Sequence, residues 1–249
     1  MSNKLTKEEL NKLVSSSIEK MTEFIDELKS DEKDTHSCKR AGLIAYWLIE
    51  YVKMLRQEKK FDSRKLLKYN RGDIVCVNFG YRIGSELGGR HFAVVLDNYN
   101  SLNSGVITVL PLTSKKDKHD SIRSCFCYEL QHGLYELHSD KLAALTDKCS
   151  TEINAILDEI ETSAEEQFDA LTNRIKAVNA KLSEAKILKS SLEKLKDGTI
   201  VNFGQLTTIS KLRILNPKKA SDSLNKIKLR PEDLDKINEQ LQYLYMSKR

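Results

Sequence analysis

Several residue types that mark special classes of protein are scarce in this chain of 249 residues. No apolar run approaches the roughly 20 residues of a membrane-spanning helix, and the most apolar helical stretch, residues 41–55, is interrupted by Glu50 and Lys53. Met1 is followed by a polar stretch instead of a signal sequence. The five cysteines are odd in number and scattered, which disfavours a disulfide framework and favours a reducing compartment. We therefore expect a cytoplasmic protein.

Glycine and proline are missing altogether from residues 142–195, and the pattern there is helical. Apolar residues recur in this segment at spacings of three and four, which is typical of a coiled coil or a helical bundle. They are Ile153, Ile156, Ile160, Ala164, Phe168, Leu171, Ile175, Val178, Leu182 and Ala185.

The first 60 residues predict two more amphipathic helices, at about 7–30 and 39–57, separated by the polar residues 31–36. Each carries an apolar stripe that one helix cannot bury by itself in water, and the helical segment at 142–195 has the same need of a partner. We therefore expect the two sets of helices to pack together as a side domain, within one chain or across a dimer.

Residues 71–96 combine two short strand patterns with a glycine-rich loop between them. Residues 74–79 alternate apolar and mixed residues, and residues 92–96 form a short apolar run, both of strand length. The four glycines between them allow positive φ and let the backbone approach a ligand closely. The loop and the start of the second strand present Ser85, Glu86, Arg90 and His91 together. This arrangement predicts a binding site.

This stretch resembles the opening of the PemK/MazF family of toxin endoribonucleases, because several short motifs follow one another at the family's spacing. Residues 106–114 resemble the family's next strand, residues 205–213 its late strand, and residues 229–241 its closing helix. The motifs of the opening are Arg71-Gly72-Asp73, Gly84-Ser85-Glu86, Gly88-Gly89, Val94-Val95-Leu96 and Asn98.

The resemblance implies an α+β fold: a small SH3-like β-barrel of the PemK/MazF/CcdB type with a C-terminal helix, here carrying a helical hairpin or coiled-coil side domain. We predict an N-terminal helical extension at 1–66, barrel parts at 67–139 and 198–249, and inserted helices at 140–197. Because both barrel parts must reach one barrel, the inserted helices should fold back, with the bend at 161–166.

The resemblance also implies the toxin of a toxin–antitoxin system, a homodimer bound by a cognate antitoxin. Its activity would be sequence-specific cleavage of single-stranded RNA, as an mRNA interferase that uses attack by the ribose 2′-OH. Such cleavage needs a base, an acid and donors to the phosphate, but no metal or cofactor. We predict His91, Thr113 and Arg90 as catalytic residues. The predicted RNA contacts are Ser85, Glu86, Ser114 and Gln205.

The sequence departs from the family at two arginine positions. His91 occupies the column of the catalytic arginine with Arg90 one place earlier, and Thr207 occupies the late arginine column. Adjacent strand residues face opposite sides, so we take His91 for proton transfer and Arg90 for a phosphate or rim contact. The departures leave open altered chemistry, altered RNA preference or lost activity. The alternatives are a non-catalytic toxin that binds a protein target such as gyrase, and a silent interaction protein that works through its coiled coil.

Some candidate residues have a simpler structural explanation. Thr113 fits the end of a strand, and Ser85 and Glu86 could shape the loop through local hydrogen bonds. Cys125 and Cys127 with three nearby histidines lack the usual spacing of zinc ligands, so a strand core is the preferred interpretation. Residues 198–249 carry a net charge of +5, which would attract phosphates or serve as an ordinary solvated surface. The basic residues of this strip include Lys211, Arg213, Lys218, Lys219, Lys226 and Lys228.

Overall fold

The structure, a computed structural model, describes residues 5–30, 34–115, 126–162, 168–192 and 198–246. The chain divides into two units, Met1–Lys60 and Phe61–Arg249. No helix within the described residues is both long enough and apolar enough to cross a membrane.

The first unit consists of two helices, α1 (Lys7–Ser30) and α2 (Thr35–Glu58), as the apolar spacing predicts. Thr6 and Glu9 form a capping box at the start of α1, in which the Glu9 amide donates to the Thr6 hydroxyl and the Thr6 amide to the Glu9 carboxylate. Asp34 caps α2 by accepting from two backbone amides. The described residues of these two helices bury only Ala41 and Ile44.

The described residues of the second unit form an antiparallel sheet of seven strands. The strands are β1 (Ile74–Asn78), β2 (Arg90–Val95), β3 (Val106–Ser114), β4 (Cys127–Glu129), β5 (Thr199–Asn202), β6 (Thr207–Ser210) and β7 (Ile214–Asn216). Their order in the sheet is β4-β5-β3-β2-β1-β7, and β6 pairs with the first half of β3. The second half of β3 pairs with β5.

The sheet separates two hydrophobic cores. The helical face, which includes Val94, Leu110, Leu112 and Val201, packs against the helices that follow β4 and β7. The opposite side, here called the groove face, includes Val77, Ala93, Val95 and Val109 and is partly covered by residues 66–69 and Leu87. Alternation along each strand assigns its residues to these two faces.

Two long helices, α3 (Leu134–Thr162) and α4 (Phe168–Leu192), form a hairpin between β4 and β5. The base of the hairpin belongs to the main core, where Leu188 is fully buried beside Leu134 and Leu137. Its far end has a small core of its own around Ile156, Leu171 and Val178. Arg174 of α4 also pairs with Glu152 and Glu159 of α3. The predicted bend at 161–166 overlaps the end of α3, and its other residues lie outside the described ones.

The last helix, α5 (Pro231–Tyr245), is held by a buried carboxylate in its first turn. Asp233 accepts hydrogen bonds from the Tyr128 hydroxyl (3.0 Å) and the Gln131 amide (2.9 Å), which ties α5 to the end of β4. Burial, with this hydrogen bond, raises the pKa of Tyr128 to about 12. The predicted closing helix is therefore present and fixed to the sheet.

The mixed helical and antiparallel character of the prediction is confirmed, but a closed barrel is not observed. In the described residues, the end strands β4 and β7 do not pair with each other. One edge of β3 pairs with β6 along its first half and with β5 along its second half, and the sheet remains open.

Candidate functional site

The connection between β1 and β2 is a tight loop, residues 79–89, whose ends are joined by backbone hydrogen bonds. The Phe79 amide donates to the Gly89 carbonyl at 2.8 Å, and the Gly89 amide donates to the Gly80 carbonyl at 2.7 Å. A Cβ atom at Gly88 would lie 2.8 Å from the Gly80 carbonyl oxygen, so the loop can close only with glycine there. Gly84, with a φ of 61°, turns the exposed tip.

A single side chain holds this loop from the other half of the unit. The Gln205 carboxamide oxygen accepts from the Leu87 amide at 2.9 Å, and its nitrogen donates to the Ser85 carbonyl at 3.1 Å. Gln205 ends the helical turn that precedes β6. The side chain predicted to contact RNA therefore fixes the position of the glycine loop.

A groove of about 210 Å³ lies between the loop and the residues around Gln205. Its floor is the groove face of the sheet, where Pro111 of β3 and Phe79 meet it. The lining residues are Phe79, Arg82, Glu86, Leu87, Pro111, Gly204, Gln205, Leu206 and Thr207.

Two arginines converge at the edge of this groove. Arg82 Nε donates to the Phe79 carbonyl at 3.2 Å, and Arg213 Nη1 donates to the same oxygen at 2.9 Å. Glu86 lies 3.5 Å from Arg82 Nη1, at the long end of ion-pair distances. Because Arg82 lines the groove with about a third of its side chain exposed, the groove has a positive edge.

The strand pattern assigns the two main catalytic candidates to one face. His91 lies two residues before Ala93 on β2, and Thr113 lies two residues after Pro111 on β3. Ala93 and Pro111 are directly paired, so His91 and Thr113 both follow on the groove face, about 7 Å farther along their strands. Both side chains are partly exposed.

Comparison with known protein families identifies the segment that contains the glycine loop. A family model described as PemK-like, MazF-like toxin of type II toxin-antitoxin system matches residues 70–179. This segment is a PemK-like toxin domain. The match begins just before β1 and ends within α4, so the PemK-like domain as matched includes the loop, β2 and β3. A comparison with curated proteins found no match.

The groove of the PemK-like domain is completed by residues outside the matched segment. Gln205, Leu206 and Thr207 form one wall, whereas the loop and Pro111 lie within the match. Residues 205–213, predicted to be the family's late strand, lie outside the match, so that prediction stays untested. Thr207, in the late arginine column, lines the groove and pairs with Val109.

Arg90 and Ser114 lie apart from the other candidates of the PemK-like domain. Adjacent strand residues face opposite sides, so Arg90, next to His91, belongs to the helical face. Burial raises the pKa of the Cys76 thiol, and the positive charge of Arg90 partly offsets this rise. Ser114 follows Thr113 and pairs with Thr199 of β5. Ser85 is exposed at the loop tip, where its carbonyl is held by Gln205.

Two features of the site differ from the sequence analysis. Arg82 was not among the candidates, although its place in the glycine loop was a signal that could have found it. Lys211 was counted in the basic strip, as a phosphate contact or as ordinary solvated surface, but it is only 1% exposed and donates to the Ser101 carbonyl at 2.9 Å. Burial lowers the pKa of Lys211. Its hydrogen bond to Ser101 fixes the turn before β7, so this lysine is a structural residue and not part of the basic surface.

No cluster of three or more potential metal ligands occurs among the described residues. Cys127 lies in β4, whereas His132 lies beside Asp233 and His138 donates from Nδ1 to the Leu134 carbonyl. Cys125 and His119, the other members of the zinc hypothesis, lie outside the described residues.

Proposed function

We propose that this PemK-like toxin cleaves single-stranded RNA by attack of a ribose 2′-OH on the adjacent phosphate, without a metal ion. The sheet with α5 would then be an open form of the SH3-like barrel that the resemblance implies. The observation that carries the proposal is the groove between the glycine loop and Gln205. One edge of this groove is positive, and the imidazole of His91 and the hydroxyl of Thr113 are assigned to the same face of the sheet.

The size of the groove favours part of a polymer as its occupant. At about 210 Å³ it is smaller than the roughly 300–1,000 Å³ of typical small-ligand pockets. A nucleotide of a longer strand can enter such a groove while its neighbours pass over the exposed loop tip. The mixture of apolar floor and charged edge suits a base against Pro111 and a phosphate near Arg82.

His91 is the proposed proton-transfer residue. An imidazole can act as base toward the 2′-OH or as acid toward the departing 5′-oxygen near neutral pH. Thr113, on the neighbouring strand of the same face, is the proposed hydroxyl donor to the phosphate. Both assignments rest on the alternation of side chains along β2 and β3.

Arg82 and Arg213 are the proposed source of positive charge at the groove. They would replace the two family arginines whose positions are occupied here by His91 and Thr207. Each donates to the Phe79 carbonyl, which orients the guanidinium groups toward the groove edge. A guanidinium is a strong forked donor to phosphate, so two of them can offset the growing negative charge of the transition state. Glu86 limits the positive charge in the absence of RNA.

The remaining candidates receive secondary roles. We assign Gln205 and the Ser85 carbonyl to positioning of the loop, with the Ser85 hydroxyl as a rim contact. Arg90 and Ser114 are proposed as contacts for RNA that extends beyond the groove. A cognate antitoxin and a second copy of the chain complete the proposed partners in the cytoplasm.

The experiment uses the full chain and a single-stranded RNA that contains every five-base sequence. We expect cleavage at a short sequence in excess EDTA, leaving a 2′,3′-cyclic phosphate and a 5′-hydroxyl. A single 2′-deoxy substitution at the mapped site should abolish the cut. Loss of activity in EDTA that magnesium restores contradicts the mechanism.

Binding measurements on the same RNA test the charged edge. Arg82→Gln should lower the slope of log affinity against log salt by about 1, as expected for one lost phosphate contact. Arg64→Gln is the matched control, because Arg64 is an exposed arginine that also pairs with a carboxylate. If the chain binds but never cuts RNA while remaining toxic in cells, the protein-binding alternative, which the altered arginine columns favour, replaces the nuclease.

A further inference from the structure

The two helices of the first unit leave an unusually large apolar surface exposed. Among the described residues of this unit, thirteen large apolar side chains between Leu5 and Leu55 are more than a third exposed, and only Ala41 and Ile44 are buried. Side chains of this size and exposure present about 1,000 Å² of surface, which exceeds the about 800 Å² per partner of a standard interface. Single soluble chains rarely leave such a surface without a partner.

The middle of α2 is apolar on every side. Residues 41–49 contain no charged residue, and nine residues make about two and a half turns of helix. Tyr46 is 73% exposed and Ile49 is 55% exposed, although both lie in this uncharged segment. A helix that is apolar all around is typical of one that is buried in an assembly.

The charges of the two helices favour one kind of occupant. The span of α1 carries six acidic and four basic residues, whereas that of α2 carries two acidic and four basic residues. The net acidity of α1 disfavours an anionic membrane surface, which attracts helices with basic polar faces. Two copies of the hairpin related by a two-fold axis can instead place α1 of one beside α2 of the other, which pairs unlike charges.

We propose that α1 and α2 are a self-association element that packs against the same helices of a second copy as a four-helix bundle. The proposed interface uses residues of the first unit alone, and the proposal does not depend on RNA cleavage. It commits to a second copy of the chain, so purified protein without an antitoxin is sufficient to form the contact.

Sedimentation velocity of the full chain over a range of concentrations tests the proposal. Ile49→Glu should raise the dissociation constant of self-association at least about tenfold, because it buries a charge in the bundle. Ile187→Glu is the matched control, since Ile187 of α4 is also an isoleucine that is 55% exposed. An unchanged dissociation constant for Ile49→Glu, or an equal effect of Ile187→Glu, overturns the proposal.

Hydrogen exchange on the unmodified chain gives a second measurement that does not depend on the folding of a variant. Amides of residues 41–49 should exchange slowly in the concentrated protein and faster on dilution. Exchange rates that do not change with concentration overturn the proposal, because packing within one chain would give that result. Protection that appears only after an antitoxin is added also overturns it and assigns the surface to that partner.

Discussion

His91 and Arg90 are neighbours in the sequence but belong to opposite faces of β2. The paired positions Ala93 and Pro111 fix the register of β2 and β3, and the alternation of the strands assigns His91 to the groove face with Thr113. Arg90 lies instead on the helical face, where its charge acts on Cys76. The two residues should therefore have separable effects on the proposed RNA cleavage.

We predict that His91→Ala slows RNA cleavage by about 100-fold or more, within the range of general acid–base groups, with little change in RNA affinity. Arg90→Ala should mainly weaken binding and reduce its salt dependence. Single-turnover cleavage and equilibrium binding measure the two effects separately. If Arg90→Ala abolishes turnover while His91→Ala is nearly neutral, the face assignment of the two residues is wrong.

The sequence predicted the residues of the loop better than their contacts. Period-two alternation and the glycines located β1, the loop and β2, because these patterns reflect local geometry. The role of Gln205 depends on Leu87, which lies 118 positions earlier, and no local pattern reports that contact. Lys211 was misplaced for the same reason, since a charge count does not distinguish a buried lysine from a solvated one.

At the scale of elements, the α3/α4 hairpin is attached to the sheet through an apolar base that contains a buried histidine. His138 is 1% exposed, and its ring meets Phe92 of β2 edge-on, with 6.5 Å between ring centroids. Burial lowers the pKa of His138 below its ordinary value of 6.5, and the charge of Lys141 one turn later acts in the same direction. The hydrogen bond to the Leu134 carbonyl acts in the opposite direction, but burial has the larger effect, so the folded base of the hairpin favours the neutral imidazole.

We predict that this histidine makes the protein less stable as the pH falls below about 6.5. In that range the unfolded chain binds a proton at residue 138 that the folded chain resists, so the free energy of unfolding decreases with falling pH. His138→Gln should flatten the decrease between pH 7 and pH 5.5 in urea unfolding, and His36→Gln at the exposed start of α2 is the control. Equal pH dependence in the His138→Gln variant and the unmodified chain contradicts this prediction.

The helical pattern was sufficient to predict α1 to α4 in outline, because apolar residues repeat at helical spacing over many turns. It did not indicate that the base of the hairpin shares a core with the sheet. Leu142 looks the same in a periodic pattern as Ile156, yet Leu142 packs on the main core and Ile156 on the small distal one. Only the contacts between distant segments distinguish the two.

At the scale of the whole molecule, the second unit has the cores it needs without the first. In the part of the chain that the structure describes, its three hydrophobic clusters contain no residue before Leu66. The segment similar to PemK-like toxins lies in this unit, and long helices lie before β1 and between β4 and β5.

We predict that a chain starting at Phe61 folds, remains soluble and associates more weakly than the full chain. The reason is that removal of the first unit removes the proposed self-association surface but leaves the three clusters intact. Thermal unfolding and sedimentation velocity of the truncated chain measure both properties. Aggregation of the truncated chain would show instead that the N-terminal helices cover the α3/α4 hairpin, as the sequence analysis expected.

The contact between Leu87 and Gln205 has a consequence for the newly made protein. A ribosome that adds about 5 to 20 residues per second needs about 6 to 24 s to synthesise the 118 residues between them. During that interval the loop exists while the opposite wall of the groove does not. Unfinished chains that stop within α3 or α4 therefore lack the groove, and the proposed activity can begin only after Gln205 has been translated.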